Sequence, residues 1–222
     1  MTRFTIAIDG PAGSGKSTTS KLVARILDCR YLDTGAMYRA VAVGCIRDDV
    51  DHDDPEAIAA YCRTMDLDIT TDPEDTHVFI GGQDVTDEIR LPSVSTWVSA
   101  VSTNAECREI LVNLQRSIIA EGAFVLEGRD TTTVVAPDAD VRVLLQADPE
   151  VRLARRGAEM GGRMSHDALV AQVLKRDQAD SALVDFQTAA DGVVTIDSTD
   201  LTLDEVVSRI LTLADRAGRR PA

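Results

Sequence analysis

Eight residues, Gly10-Pro11-Ala12-Gly13-Ser14-Gly15-Lys16-Ser17, follow directly on the apolar run Phe4–Ile8. Behind them, after Thr18, comes a helically spaced stretch with Leu22, Val23, Ile26 and Leu27 on one face. Glycines in such a loop let consecutive backbone N–H groups turn inward around phosphate oxygens without Cβ clashes. The helix start adds the positive end of its dipole. Strand, glycine-rich loop and helix together predict a phosphate-binding loop in which Gly10, Pro11, Ala12, Gly13, Ser14, Gly15, Lys16, Ser17 and Thr18 cradle a nucleotide. Lys16 is placed to reach the β- and γ-phosphates, and the Ser17 hydroxyl to ligate Mg²⁺.

Such a loop does not separate a kinase from a GTPase or a motor, so other residues must. Asp33-Thr34-Gly35-Ala36-Met37-Tyr38-Arg39 opens a second apolar helix, and Thr34, Tyr38 and Arg39 offer two hydroxyls and a cation for a second phosphate. Read structurally, the same stretch is a capped helix start with Tyr38 in the core. Glu127-Gly128-Arg129-Asp130 ends another apolar run, at the edge where open parallel sheets bind ligands. Arg129 suits phosphate, and Asp130 suits a base amino group or a Mg²⁺-bound water; a surface ion pair between the two is the plainer alternative. Arg152, Arg155 and Arg156 share a helix face, where Glu159 could pair with Arg155, and Gly161-Gly162-Arg163 would break that helix. This suits a mobile lid over a triphosphate. His52, His77 and His166 show no metal-ligand or triad spacing and receive no catalytic role, and Trp97 is expected in the core or against the substrate pocket.

These residues must be held by a frame. Strand-like runs at 4–8, 30–32, 124–126, 141–145 and 193–196 are separated by helical patterns, including 105–120, 150–160, 167–176 and one opened by Thr202 and Glu205 in capping-box spacing. Unalternating apolar strands between helices predict an α/β fold: a parallel sheet covered on both faces. Short alternating segments between Leu67 and Val85, broken by Pro73 and Gly81-Gly82, predict a small antiparallel meander inserted into that frame.

The 222 residues suit one domain. A formal charge of -14 argues against nucleic acid or an anionic membrane as partner, and makes any gathering of arginines informative. Cys29, Cys45, Cys62 and Cys107 are widely spaced without CxxC or zinc patterns, so all four are expected as reduced, buried thiols of a cytoplasmic protein. The chain enters its first strand after Met1-Thr2-Arg3, leaving no room for a signal peptide, and no apolar run reaches membrane-spanning length. No exposed apolar helix is evident, which favours a monomer.

Taken together, Ile8–Ser17, Leu32–Arg39, Val85-Thr86-Asp87-Glu88-Ile89-Arg90, Glu127–Asp130, 133–139 and 176–181 resemble the bacterial cytidylate kinase family, in its order and over nearly the whole chain. The resemblance implies a P-loop kinase fold with a five-stranded parallel sheet, an acceptor-binding insertion at about 63–93 between core segments 1–62 and 94–222, and a short lid at about 153–166. It implies transfer of the ATP γ-phosphoryl group to CMP or dCMP, with Mg²⁺. By position, Ser99, Arg108 and Asp130 would read cytosine, Arg176 and Asp180 would contact the sugar hydroxyls, and Arg39 and Arg129 would bind the acceptor phosphate beside Thr34 and Tyr38. Lys16, Arg129, Arg155 and Arg156 would act on the transferring group. Departures from the family pattern are Leu183 where an arginine is usual and Thr132 where a glycine is common. Two rival readings share the phosphate loop: a kinase for UMP or AMP, and a nucleotide-binding regulatory module with weak turnover.

Overall fold

The computed structural model describes residues 3–159 and 188–219. In chain order the first half contains β1 (Phe4–Asp9), α1 (Lys16–Ile26), β2 (Arg30–Asp33), α2 (Thr34–Arg47) and α3 (Pro55–Thr64). The meander follows as β3 (Leu67–Ile69), β4 (Val78–Ile80) and β5 (Gln83–Asp84), then α4 (Pro92–Thr103) and α5 (Ala105–Ile119). The second half has β6 (Ala123–Gly128), a π-helical turn Thr131–Val135, β7 (Val141–Gln146), α6 (Pro149–Glu159), β8 (Val194–Asp197) and α7 (Leu203–Arg216). The predicted 167–176 helix lies outside the described residues.

Five strands form one parallel sheet, as the apolar runs predict, and the structure orders them β2-β6-β1-β7-β8. Every residue of β1 and β6 is buried, because these central strands are covered on both faces. Alternation within them still matters. Ile6, Ile8, Val125 and Val143 point into the core under α1 and α7, whereas Ala7, Phe124 and Leu126 point into the larger core under α2, α4 and α5. The capping box of α7 forms as predicted, the Glu205 N–H donating to the Thr202 hydroxyl at 3.3 Å and the Thr202 N–H to Glu205 at 2.8 Å.

The meander is antiparallel, in the order β3-β4-β5. Its loop is tied back to the frame: Lys21 Nζ donates to Thr76 Oγ1 at 2.8 Å, and the Tyr31 N–H to the Thr71 carbonyl at 2.8 Å. Two helices were not among the expected elements. Asp54 caps α3, accepting from the Glu56 and Ala57 N–H groups, with Pro55 in its first turn, and α4 opens on Pro92. Trp97 of α4 lies half-buried against the larger core, with His52 edge-on at 4.8 Å between ring centroids.

One expectation is overturned. Cys62 of α3 and Cys107 of α5 form a disulfide, with Cα atoms 5.6 Å apart. Sequence spacing hides this pair, since 45 residues separate the two and only the packing of α3 on α5 brings them together. Cys29 and Cys45 are free and buried, as expected.

Candidate active site

The phosphate loop joins β1 to α1 at the carboxyl end of the sheet. Gly13 and Gly15 have φ of 77° and 92°, a left-handed backbone that favours glycine. A Cβ on Gly13 would also lie 2.5 Å from the Arg152 carbonyl oxygen, so α6 seats directly on the loop. Lys16 Nζ donates to the Pro11 carbonyl at 3.2 Å across the loop.

A cavity of about 160 Å³ opens over this loop, lined by Lys16 and Ser17 on one side and by Arg39, Arg90 and Arg129 on the other. Four segments therefore bring cations into one cleft of an otherwise acidic protein. The Arg39 guanidinium is itself buried and donates to the Ile89 carbonyl at 2.6 Å, which fixes α2 against the end of the meander insertion. Asp33 caps α2 by accepting from the Ala36 N–H at 2.9 Å, and Tyr38 is buried. The capped-helix reading is thus correct for the backbone, and it is the cap that aims Arg39 at the cavity. Thr34 donates its hydroxyl to the Glu127 carbonyl at 2.7 Å, tying α2 to β6.

Beside this cleft, Arg108 of α5 forms an ion pair with Asp130 and also reaches the Ser102 carbonyl of α4 at 3.4 Å. Burial raises the Asp130 carboxyl pKa, and the Arg108 charge opposes that rise. The Tyr38 hydroxyl is pushed up to about 12, mostly by burial and then by the Asp130 charge; it is buried without a hydrogen-bond partner among the described residues. Ser99 is half-buried on the same helix as Ser102, and its carbonyl accepts from Thr103 at 2.8 Å.

The lid arginines divide. Arg152 is buried beneath the loop and donates to the Ala12 carbonyl at 3.1 Å. Arg155 donates to the Ser198 hydroxyl and carbonyl at 3.0 and 2.8 Å. The backbone of Arg156 lies in α6. Arg163, Arg176, Asp180 and Leu183, with the second half of the expected lid, lie outside the described residues.

Two site carboxylates had no role in the sequence reading. Register pairs Asp33 with Glu127 across β2 and β6, and both line the cavity with Ser17. Glu127 is buried and accepts from the Tyr31 hydroxyl at 2.5 Å. Burial and then the Asp33 charge raise its pKa, against Lys16 and the hydrogen bonds of Tyr31 and Ser17. A charged residue closing an apolar run one strand away from the phosphate loop was the available signal. Arg90 was visible only as part of a family segment.

The fold and this cleft define a P-loop kinase: a parallel sheet, a phosphate loop at its carboxyl edge, and arginines lining the same cleft. Solved structures agree on the fold. The gluconokinase from Sinorhizobium meliloti 1021 aligns with TM-score 0.51 at 15% identity, over 96% of this chain and 93% of that one. The shikimate kinase from Bacteroides thetaiotaomicron aligns with TM-score 0.51 at 14% identity, over 96% and 98%. The family model for cytidylate kinase matches residues 6–216, and this chain belongs to that family. Curated relatives named cytidylate kinase include those of Cutibacterium acnes, 46% identical over 94% of each chain, and Streptomyces avermitilis, 44% identical over 95% of this chain and 92% of that one. The relative from Rhodococcus jostii is 42% identical over 97% of each.

Among the described residues no helix is long and apolar enough to cross a membrane.

Proposed function

We propose that this protein transfers the γ-phosphoryl group of ATP to CMP and dCMP, forming ADP and CDP or dCDP. The observation that carries this reading is the single cleft in which Lys16 and Ser17 face Arg39 and Arg129, with the Arg108–Asp130 pair beside it. An oxygen of the acceptor phosphate attacks the γ-phosphorus in line; the new P–O bond forms as the bond to the bridging oxygen of ADP breaks. The nucleophile is already anionic, so no general base is required, and catalysis is positioning and charge stabilisation. Lys16 holds the β/γ-oxygens, and Arg39 and Arg129 hold the acceptor phosphate beside Thr34 and Tyr38. Asp130 and the Ser99 hydroxyl accept from the cytosine N4 amino group, which uracil lacks, while Arg108 donates to N3 and O2. Arg176 and Asp180 contact the sugar, and Arg155 and Arg156 act from the α6 side.

Magnesium fits the donors present. Among the described residues no three His, Cys, Asp or Glu side chains gather as a metal cage. The Ser17 hydroxyl with the carboxylates of Asp33 and Glu127 instead offers the few oxygen ligands that suit a hard cation keeping several waters. When bound, it would neutralise charge on the β/γ-oxygens. We place the protein in the cytoplasm as a monomer.

Initial-rate ADP formation with CMP, dCMP, UMP and AMP in parallel tests the proposal. The expected order puts CMP and dCMP well above UMP and AMP. Preference for UMP would contradict the Asp130 readout, and tight ATP and CMP binding without ADP formation would favour a regulatory module.

A further inference from the structure

Asp9, the last residue of β1, is buried and accepts four hydrogen bonds. Its Oδ1 takes the Thr131 N–H at 2.8 Å and the Thr131 hydroxyl at 2.6 Å. Its Oδ2 takes the Thr132 N–H at 2.8 Å and the Thr132 hydroxyl at 2.6 Å. A carboxylate offers about four lone-pair sites, so these donors fill it.

The Thr131 and Thr132 N–H groups are the first donors of the π-helical turn, where a helix start leaves N–H groups without intrahelical partners. The residue at the capping position is Asp130, a type that ordinarily turns its carboxylate back onto such donors. It makes no such bond and pairs with Arg108 instead. Asp9 supplies the cap from the neighbouring strand.

We propose that Asp9 is a positioning residue: by capping this turn from β1 it releases the Asp130 carboxylate for the acceptor base and holds it in register with the phosphate loop. Register places Asp9 directly opposite Gly128, and Gly10 follows Asp9 in the chain. The carboxylate of the residue just before the donor loop is therefore bonded to the segment that follows Arg129 and Asp130. The junction has little slack, since a Cβ on Gly128 would lie 2.6 Å from Thr131 Cγ2. Thr132 is the departure from the family's usual glycine, and its hydroxyl contributes one of the four bonds. The inference rests on the proposed base-reading role of Asp130.

Asp9→Asn keeps the volume but turns an amide N–H₂ towards one of the two backbone N–H groups. Losing those bonds should raise the KM for CMP about tenfold and lower the CMP-over-UMP preference in kcat/KM by a similar factor. The KM for ATP should stay within about twofold. Thr132→Val removes a single hydroxyl bond and should shift the same two quantities about threefold; Thr132→Ser, which keeps the hydroxyl, should restore them. The valine and serine variants carry the test where Asp9→Asn does not fold. A folded Asp9→Asn, or Thr132→Val, with unchanged KM for CMP and unchanged CMP-to-UMP ratio overturns the role of Asp9. So does a loss of kcat shared equally by both acceptors. A wild-type enzyme with no preference for CMP would instead overturn the base-reading role of Asp130.

Discussion

Arg155 is fastened to Ser198: its guanidinium donates to the Ser198 carbonyl at 2.8 Å, and the Ser198 hydroxyl donates to the Ser14 carbonyl at 3.2 Å. The arginine expected over the transferring phosphate thus links α6 and the end of β8 to the phosphate loop from behind. Removing it should loosen the loop's support as well as any contact with ATP. Arg155→Ala is expected to lower stability by about 1–2 kcal/mol and to raise the KM for ATP. A double-mutant cycle with Ser198→Ala, read by urea unfolding, should give a coupling of about 0.5–1.5 kcal/mol.

Lys16 sits on the phosphate loop, where its amine donates to the Pro11 carbonyl and its charge acts on Glu127. Lys16→Ala should lower kcat by about 10²–10³-fold. Its stability should change by less than about 1 kcal/mol. Steady-state ADP formation and circular dichroism on the same preparation check both halves.

Glu127 faces Ser17 and Asp33 in the cavity, and its Tyr31 partner keeps the side chain in place. Glu127→Gln preserves the shape and removes one acceptor oxygen and the negative charge. The Mg²⁺ concentration giving half-maximal rate should rise by about 10–100-fold, read from a metal titration at saturating ATP and CMP.

His77 bridges two carboxylates of the meander, Nδ1 to Asp84 at 2.7 Å and Nε2 to Asp75 at 3.0 Å. Its hydrogen bond to Asp84 is the largest cause of a pKa raised above the ordinary 6.5, with desolvation opposing it. The sign follows: the protonated ring stabilises the folded state fully below 6.5, and that stability is lost as pH rises through the higher folded value. Thermal midpoints should therefore fall across that window in the wild type, with a flatter profile in His77→Gln.

The disulfide closes a loop of 45 residues between α3 and α5. Replacing Cys62 and Cys107 by serine should lower stability by about 2–4 kcal/mol. Thiol titration of denatured protein should find two free thiols without reductant, Cys29 and Cys45, and four after reduction.

Much of the frame was legible because strands and helices announce themselves locally. The apolar runs at Phe4 and Phe124, the glycine loop and the Thr202–Glu205 box each depend on residues within a few positions of one another. The alternating segments from Leu67 to Val85 were legible as a meander for the same reason. The helix at Pro92 was less so: β-branched and hydroxyl residues fill it, and its helical state depends on packing against α2.

Chain order by itself determined that a nucleotide-phosphate loop, a parallel sheet and several arginines belong to this protein, since those signals are short-range. Only the tertiary arrangement decided which groups meet. Glu127 comes to face Ser17, Arg108 comes to pair with Asp130 rather than Arg129, Cys62 finds Cys107, and Asp9 caps a turn more than a hundred residues away. The physical reason is that hydrogen bonds, ion pairs and disulfides act over a few ångströms of space, and strand register and helix packing set those separations with little regard to distance along the chain.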